Sequence, residues 1–188
     1  MSTIVVVRKN REAVIAADTL TTCGNTMESA EYVVNHEKII NFKESFLGFS
    51  GSASLQIATQ NFLSKTRKKV SLQNIAGIYD FGLTLHGELK DRHFLRADDE
   101  EDFETFRGDM LIANRHGIFG LSSYRYVQEY TKFYANGSGG DYALGAMFAI
   151  YQDSNKTAKD IAEIGVKAGT EFDDGSAAPI QFQTVKLK

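Results

Sequence analysis

Ser2 joins two reactive groups in one residue. Once Met1 is removed, it carries a hydroxyl and a free α-amine, a pair that can act as nucleophile and base without help from a second residue. A serine hydroxyl is a weak nucleophile at neutral pH and needs such a base. An α-amine, with a reference pKa of about 7.7–8.0, keeps a useful neutral fraction at pH 7. Met1-Ser2-Thr3 runs straight into the apolar segment Ile4-Val5-Val6-Val7. Asp18, Lys38 and glycines at 48, 51, 137, 139 and 140 supply the charges and the close-approaching backbone this chemistry would need. The front of the chain is the candidate active site.

The elements that must hold these residues are readable from patterning. Residues 3–8 and 12–18 are β-rich runs around Lys9-Asn10-Arg11, the pattern of a hairpin. Residues 19–37 read as a polar loop region. Lys38-Ile39-Ile40 and Ser45–Phe49 form a second pair of short strands. Ser50-Gly51-Ser52 opens a helix to about Arg67, with Leu55, Ala58, Phe62 and Leu63 on one stripe. A second helix runs through 73–92 on Ile75, Ile78, Leu85 and Leu89. Strands are expected at 109–114, 117–121, 124–130 and 131–136 as a meander. Helices follow at 141–152 and from a capping-box-like Thr157/Asp160 to about Phe172, and a strand around Ile180–Leu187 closes the chain. Two antiparallel sheets packed face to face, with helices outside each, would bury all of these stripes.

The 188 residues, with one proline and no Pro/Ser-rich linker, suit a single domain over 1–188. A net charge of −3 with 24% charged residues gives no argument for nucleic acid or an anionic membrane. No run approaches the roughly 18 apolar residues of a membrane span, and the first residues lack a signal-peptide layout. A lone Cys23 excludes an internal disulfide and fits a reducing cytoplasm. The acidic run Asp98–Glu104 reads as a solvated loop, and Lys65, Arg67, Lys68 and Lys69 suit the negative end of a helix dipole.

With these residues in place, the chain resembles the proteasome β-subunit family, most closely its bacterial branch, which includes the HslV-type peptidase. The resemblance is carried in order by Ser2-Thr3-Ile4-Val5, Val14–Asp18, Gly24-Asn25-Thr26, Lys38, Leu47–Gly51 and Gly137–Ala143. Any one piece is weak; the ordered set is specific. It implies an α+β fold, the four-layer αββα sandwich of N-terminal nucleophile hydrolases. The longer loop between Thr26 and Lys38 points to one of the smaller bacterial relatives of the proteasome.

The resemblance also implies roles. Lys38 is the cation that lowers the pKa of the Ser2 amine and hydroxyl, and Asp18 holds it in place. Gly48 offers its backbone N–H to an oxyanion, and Ser138 supports the N-terminus. The family's acidic residue and hydroxyl, four and one positions before a glycine equivalent to Gly175, fall on Glu171 and Asp174, with Asp173 as a substitute acid. Backbone carbonyls of Gly169, Phe172 and Gly175 are the expected cage of a structural cation; no other cofactor is required. The family's nucleophile is threonine, and here serine stands in its place without the methyl that restricts χ1. Release of Thr3 instead would shift the register.

The expected function is that of a peptidase subunit hydrolysing peptide bonds in stacked homo-oligomeric rings with unfolded polypeptide as substrate. An ATP-dependent unfoldase is a possible partner, since this chain has no phosphate loop of its own. The alternatives are a catalytically inactive ring subunit and a small-molecule amidase with the same N-terminal chemistry.

Overall fold

The computed structural model describes residues 1–67, 69–96 and 103–188. Strands β1 (Ile4–Lys9) and β2 (Glu12–Ala17) form the opening hairpin, followed by a small arm of β3 (Thr21–Cys23) and β4 (Thr26–Glu28). Then come β5 (Ile39–Phe42), β6 (Ser45–Gly51), α1 (Ala53–Lys65) and α2 (Ile75–Arg92). The second half runs β7 (Gly108–Asn114), β8 (Gly117–Leu121), β9 (Val127–Tyr130), β10 (Phe133–Asn136), α3 (Gly140–Ile150), α4 (Ala158–Phe172) and β11 (Gln181–Lys186). Lys68 and most of the acidic run expected to be a solvated loop, residues 98–102, lie outside the described residues.

One sheet has the order β10-β1-β2-β11 and the other β5-β6-β7-β8-β9, with all pairings antiparallel. The two-residue period of a strand explains how they stack. Along β1, Val5 and Val7 pack with Ala143, Met147, Ile161 and Val166 of α3 and α4, while Ile4 and Val6 face Leu111, Ala113 and Ile118 of the opposite sheet. The other face of that second sheet, through Leu47, Phe49, Met110 and Ile112, packs on α1 and α2. Helices, sheet, sheet, helices is the αββα layering. Because β1 is covered on both faces, it reads as a continuous apolar run rather than an alternating one.

The opening hairpin turns on Asn10 and Arg11, both at positive φ (51° and 63°), the mirror-image turn that matches strand twist. Lys9 therefore ends β1 and pairs with Glu12. The capping box forms as expected: the Asp160 N–H donates to Thr157 Oγ1 at 3.1 Å, and the Thr157 N–H to Asp160 Oδ2 at 2.8 Å.

Two expectations change. The region 19–37 contains the β3–β4 arm, pivoting at Gly24 with φ +57°. The expected meander ends at β9, because β10 crosses over to pair with β1. That crossover carries the chain from one sheet to the other and delivers residues 137–140 to the start of β1. Among the described residues no helix is long and apolar enough to cross a membrane.

Candidate active site

Ser2 precedes β1 and is 3% exposed. Its place is set by glycines from two distant segments. A Cβ on Gly137 would overlap the Ser2 carbonyl, and one on Gly139 or Gly169 would overlap Thr3 Oγ1. A Cβ on Gly175 would overlap the Met1 side chain. Absence of side chains at these four positions is what lets the 137–140 turn and the end of α4 close on the N-terminus. The Gly139 N–H donates to the Ser2 carbonyl at 3.2 Å.

Asp18 follows β2 and is wholly buried. Its carboxylate accepts the N–H groups of Thr3 (2.9 Å), Leu20 (3.0 Å) and Ala177 (3.3 Å). The Lys38 ammonium, just before β5, donates to both of its oxygens at 2.8 and 2.9 Å. Burial pushes the Lys38 pKa below the ordinary lysine range, with Asp18 and, more weakly, Asp173 pulling it back up. Lys38 Nζ also reaches the Met1 carbonyl at 3.4 Å, and the Ser2 hydroxyl donates to the same oxygen.

On the other side, the Ser2 N–H donates to Ser138 Oγ at 3.2 Å, and Ser138 donates onward to Asp173 Oδ2 at 2.9 Å. Ser176 donates to that same oxygen at 2.6 Å and lies 2.8 Å from Thr3 Oγ1. Thr3 is thus fully buried with its hydroxyl engaged, which argues against its release as the nucleophile.

Ser2, Asp18, Lys38 and Ser138 are brought together; three other expected residues are not. Gly48 lies in the interior of β6, paired on one side with Ile39 and on the other with Leu111. Its missing side chain makes room for Ile4 and Ile15 of the facing sheet, which a Cβ would meet at 2.8 and 3.1 Å. Gly51, at the end of β6, instead lines the cleft with Ser2. Glu171 and Asp174 are exposed, and the acid of the network is Asp173, the C-cap of α4. Sequence reasoning missed Ser176. The signal was present: Asp173 and Ser176 keep the three-residue spacing of acid and hydroxyl, but Ala177 stands where a glycine was expected.

For the expected cation cage, Gly169 spends carbonyl capacity on the Asp173 N–H at 2.9 Å, and Phe172 is exposed and packs against Tyr142. Among the described residues no group of three His, Cys, Asp or Glu side chains could hold a metal ion. The arrangement brings a hydroxyl, a buried cation and a hydrogen-bonded nitrogen together in a cleft of about 250 Å3.

No family model matches the chain. Thiobacillus denitrificans BPH matches over 99% of this chain, with 43% identity, 99% of its own length and a TM-score of 0.94 in its complex with epoxomicin. The same protein without that partner gives 44%, 98% and 0.95. The ATP-dependent protease subunit HslV of Sulfurihydrogenibium sp. is 25% identical over 91% of this chain and 89% of its own. That of Caldicellulosiruptor saccharolyticus is 29% identical over 86% and 85%. Trypanosoma brucei HslV, at 20% identity and a TM-score of 0.75, shares the fold.

Proposed function

The chain belongs to the proteasome β-subunit and HslV family, and from that premise we propose that it is the peptidase subunit of a compartmentalised protease, with Ser2 as its N-terminal nucleophile. The single observation that carries the nucleophile is the convergence of Lys38 Nζ and the Ser2 hydroxyl on one carbonyl oxygen, that of Met1. Loss of Met1 turns the Ser2 nitrogen from an amide into an amine, and only the amine can accept a proton.

In the proposed reaction the Ser2 hydroxyl attacks a peptide carbonyl and its proton passes to the α-amine. The amine gives the proton to the departing nitrogen, and water then releases the acyl group from Ser2. Lys38, held by Asp18, disfavours a positive charge on the adjacent amine. Ser138, Asp173 and Ser176 orient that nitrogen from the opposite side. Gly51, rather than the Gly48 that the resemblance implies, is the oxyanion donor in this reading. The Phe49 N–H donates to the Lys38 carbonyl at 3.0 Å. Two residues on, the Gly51 N–H points to the same side of the strand, where β5 has ended and the cleft opens. Nucleophile and base both belong to Ser2, so the reaction needs no cofactor.

Two HslV relatives are named ATP-dependent protease subunits. That likeness supports a separate ATPase as partner, and we further propose a homo-oligomeric ring that takes unfolded polypeptide, in a reducing cytoplasm that suits the exposed thiol of Cys23. The test is mass spectrometry of the purified chain combined with a peptide vinyl sulfone. The reagent should attach to Ser2 in molecules lacking Met1 and in no others, and those molecules should form rings by electron microscopy. A chain that digests peptides with Met1 still attached would sink the mechanism.

A further inference from the structure

Two adjoining cavities meet at one carboxylate, that of Glu37. The cleft at Ser2 shares Asn35, Glu37, Ala53 and Gln56 with a second cavity of about 420 Å3 that runs between α1 and β5. The boundary is fixed by a hydrogen bond from Gln56 Nε2 to the Glu37 carbonyl at 2.7 Å. Charged side chains lining the pair of cavities are Lys38 and Glu37. Lys38 is neutralised at 2.8 Å by Asp18, whereas Glu37 is exposed and no described residue forms an ion pair with its carboxylate.

His36 Nδ1 lies 2.7 Å from the Val33 carbonyl. A carbonyl only accepts, so Nδ1 carries a hydrogen and is spent on that bond. The floor is apolar, formed by Leu20 and Phe49. An apolar floor with an unpaired carboxylate at its rim suits a long aliphatic stem ending in a cation, and low-dielectric walls focus the field of that one charge.

We infer that the cleft selects polypeptide segments bearing a lysine or arginine next to the bond presented to Ser2, and that Glu37 is the residue that reads this cation. The inference rests on the peptidase reading for the identity of the ligand, but its test does not require turnover. Labelled peptide amides ending in Lys, Leu or Glu are titrated by fluorescence anisotropy into the Ser2→Ala chain, with and without Glu37→Gln or Glu37→Lys. The Lys peptide should bind about fivefold more tightly than the Glu peptide, as expected for a partly solvated charge pair. Glu37→Gln should erase that ratio and Glu37→Lys invert it. Equal affinities, an unchanged ratio in Glu37→Gln, or no binding of any peptide overturns the inference. Hydrolysis by the Ser2 chain is scored separately, so a catalytic failure would be told apart from a failure of selectivity.

Discussion

Both carboxylate oxygens of Asp18 are taken by the Lys38 ammonium, at 2.8 and 2.9 Å, and the same oxygens also accept three backbone N–H groups. Those N–H groups belong to Thr3, Leu20 and Ala177, so one side chain ties together the N-terminus, the end of β2, the start of β5 and the segment after α4. Asp18 is therefore a fold element as well as a positioning residue, while Lys38 is spent on the site.

This asymmetry predicts different failures for the two partners. Lys38→Ala leaves Asp18 with three N–H donors and should fold and assemble, yet lose peptide hydrolysis. Asp18→Ala leaves Lys38 buried without its counter-charge and three N–H groups unsatisfied, a loss on the order of 3–5 kcal/mol. Thermal melts beside turnover of a fluorogenic peptide separate the cases. Unchanged turnover in Lys38→Ala would refute its role, and equal melting of both variants would refute the division of labour.

Gly48 and Gly51 should also part company. Gly48→Ala pushes a methyl into Ile4 and Ile15, overpacking that costs about 1–3 kcal/mol while leaving labelling of Ser2 by a β-lactone intact per folded molecule. Gly51 sits at φ +111°, and a Cβ there would meet the Arg107 carbonyl at 2.9 Å, so Gly51→Ala must move the backbone whose N–H faces the cleft. Loss of one oxyanion donor is typically about 10²–10³ in rate. A Gly51→Ala chain that labels normally would return the role to another donor.

The acids after α4 provide a third contrast. Asp173→Asn removes the charge that both Ser138 and Ser176 donate to, and turnover should fall by roughly tenfold or more, in the range of a misoriented base. Its pH–rate profile should shift as well, because Asp173 helps keep Lys38 protonated. Glu171→Gln and Asp174→Asn should be neutral in both readouts. A silent Asp173→Asn, with an active-site loss in Glu171→Gln, would restore the sequence-based assignment.

The acids after α4 show where patterning and resemblance stop short: the resemblance is anchored on Gly175, whereas Asp173 and Ser176 keep the same spacing before Ala177. The buried strands announce themselves because each face of β1 and β2 has its own apolar partners, and α4 because Thr157 and Asp160 cap it. Ser2, Asp18 and Lys38 sit at the ends of such strong elements, and the family resemblance, rather than the patterning, singles out Asp18 and Lys38. Glu171, Asp173 and Asp174 lie within four residues where α4 ends, and only the extended backbone at Asp173 (φ −102°, ψ 118°) decides which one turns toward Ser138. Gly48 and Gly51 occupy one strand, and the choice between them depends on where β5 stops. The arm of β3 and β4 consists of three-residue strands, too short to show a period. The crossover of β10 is a tertiary event, invisible in a run of residues that would suit a meander equally well.

A final prediction concerns pH and lies far from Ser2. Arg125 Nη1 donates to His86 Nδ1 at 2.6 Å and to the Glu104 carbonyl at 2.5 Å. The His86 ring must therefore be neutral, with its hydrogen on Nε2, which has no hydrogen-bond partner among the described residues. Glu104 Oε2 lies 3.7 Å from that nitrogen, Lys90 pairs with the same carboxylate at 2.6 Å, and Phe106 meets the ring edge-on. Burial lowers the His86 pKa first, and Arg125 and Lys90 lower it further against the opposing pull of Glu104. With the folded value below 6.5, the unfolded chain takes up the proton first on acidification. The stabilising contribution is thus complete above about pH 6.5 and fades as pH falls toward the folded value. His86→Gln keeps an acceptor for Arg125 but does not titrate. The gap in melting temperature between the native chain and this variant should narrow or reverse between pH 7 and pH 5, whereas a gap constant across that range would show that His86 does not titrate with folding.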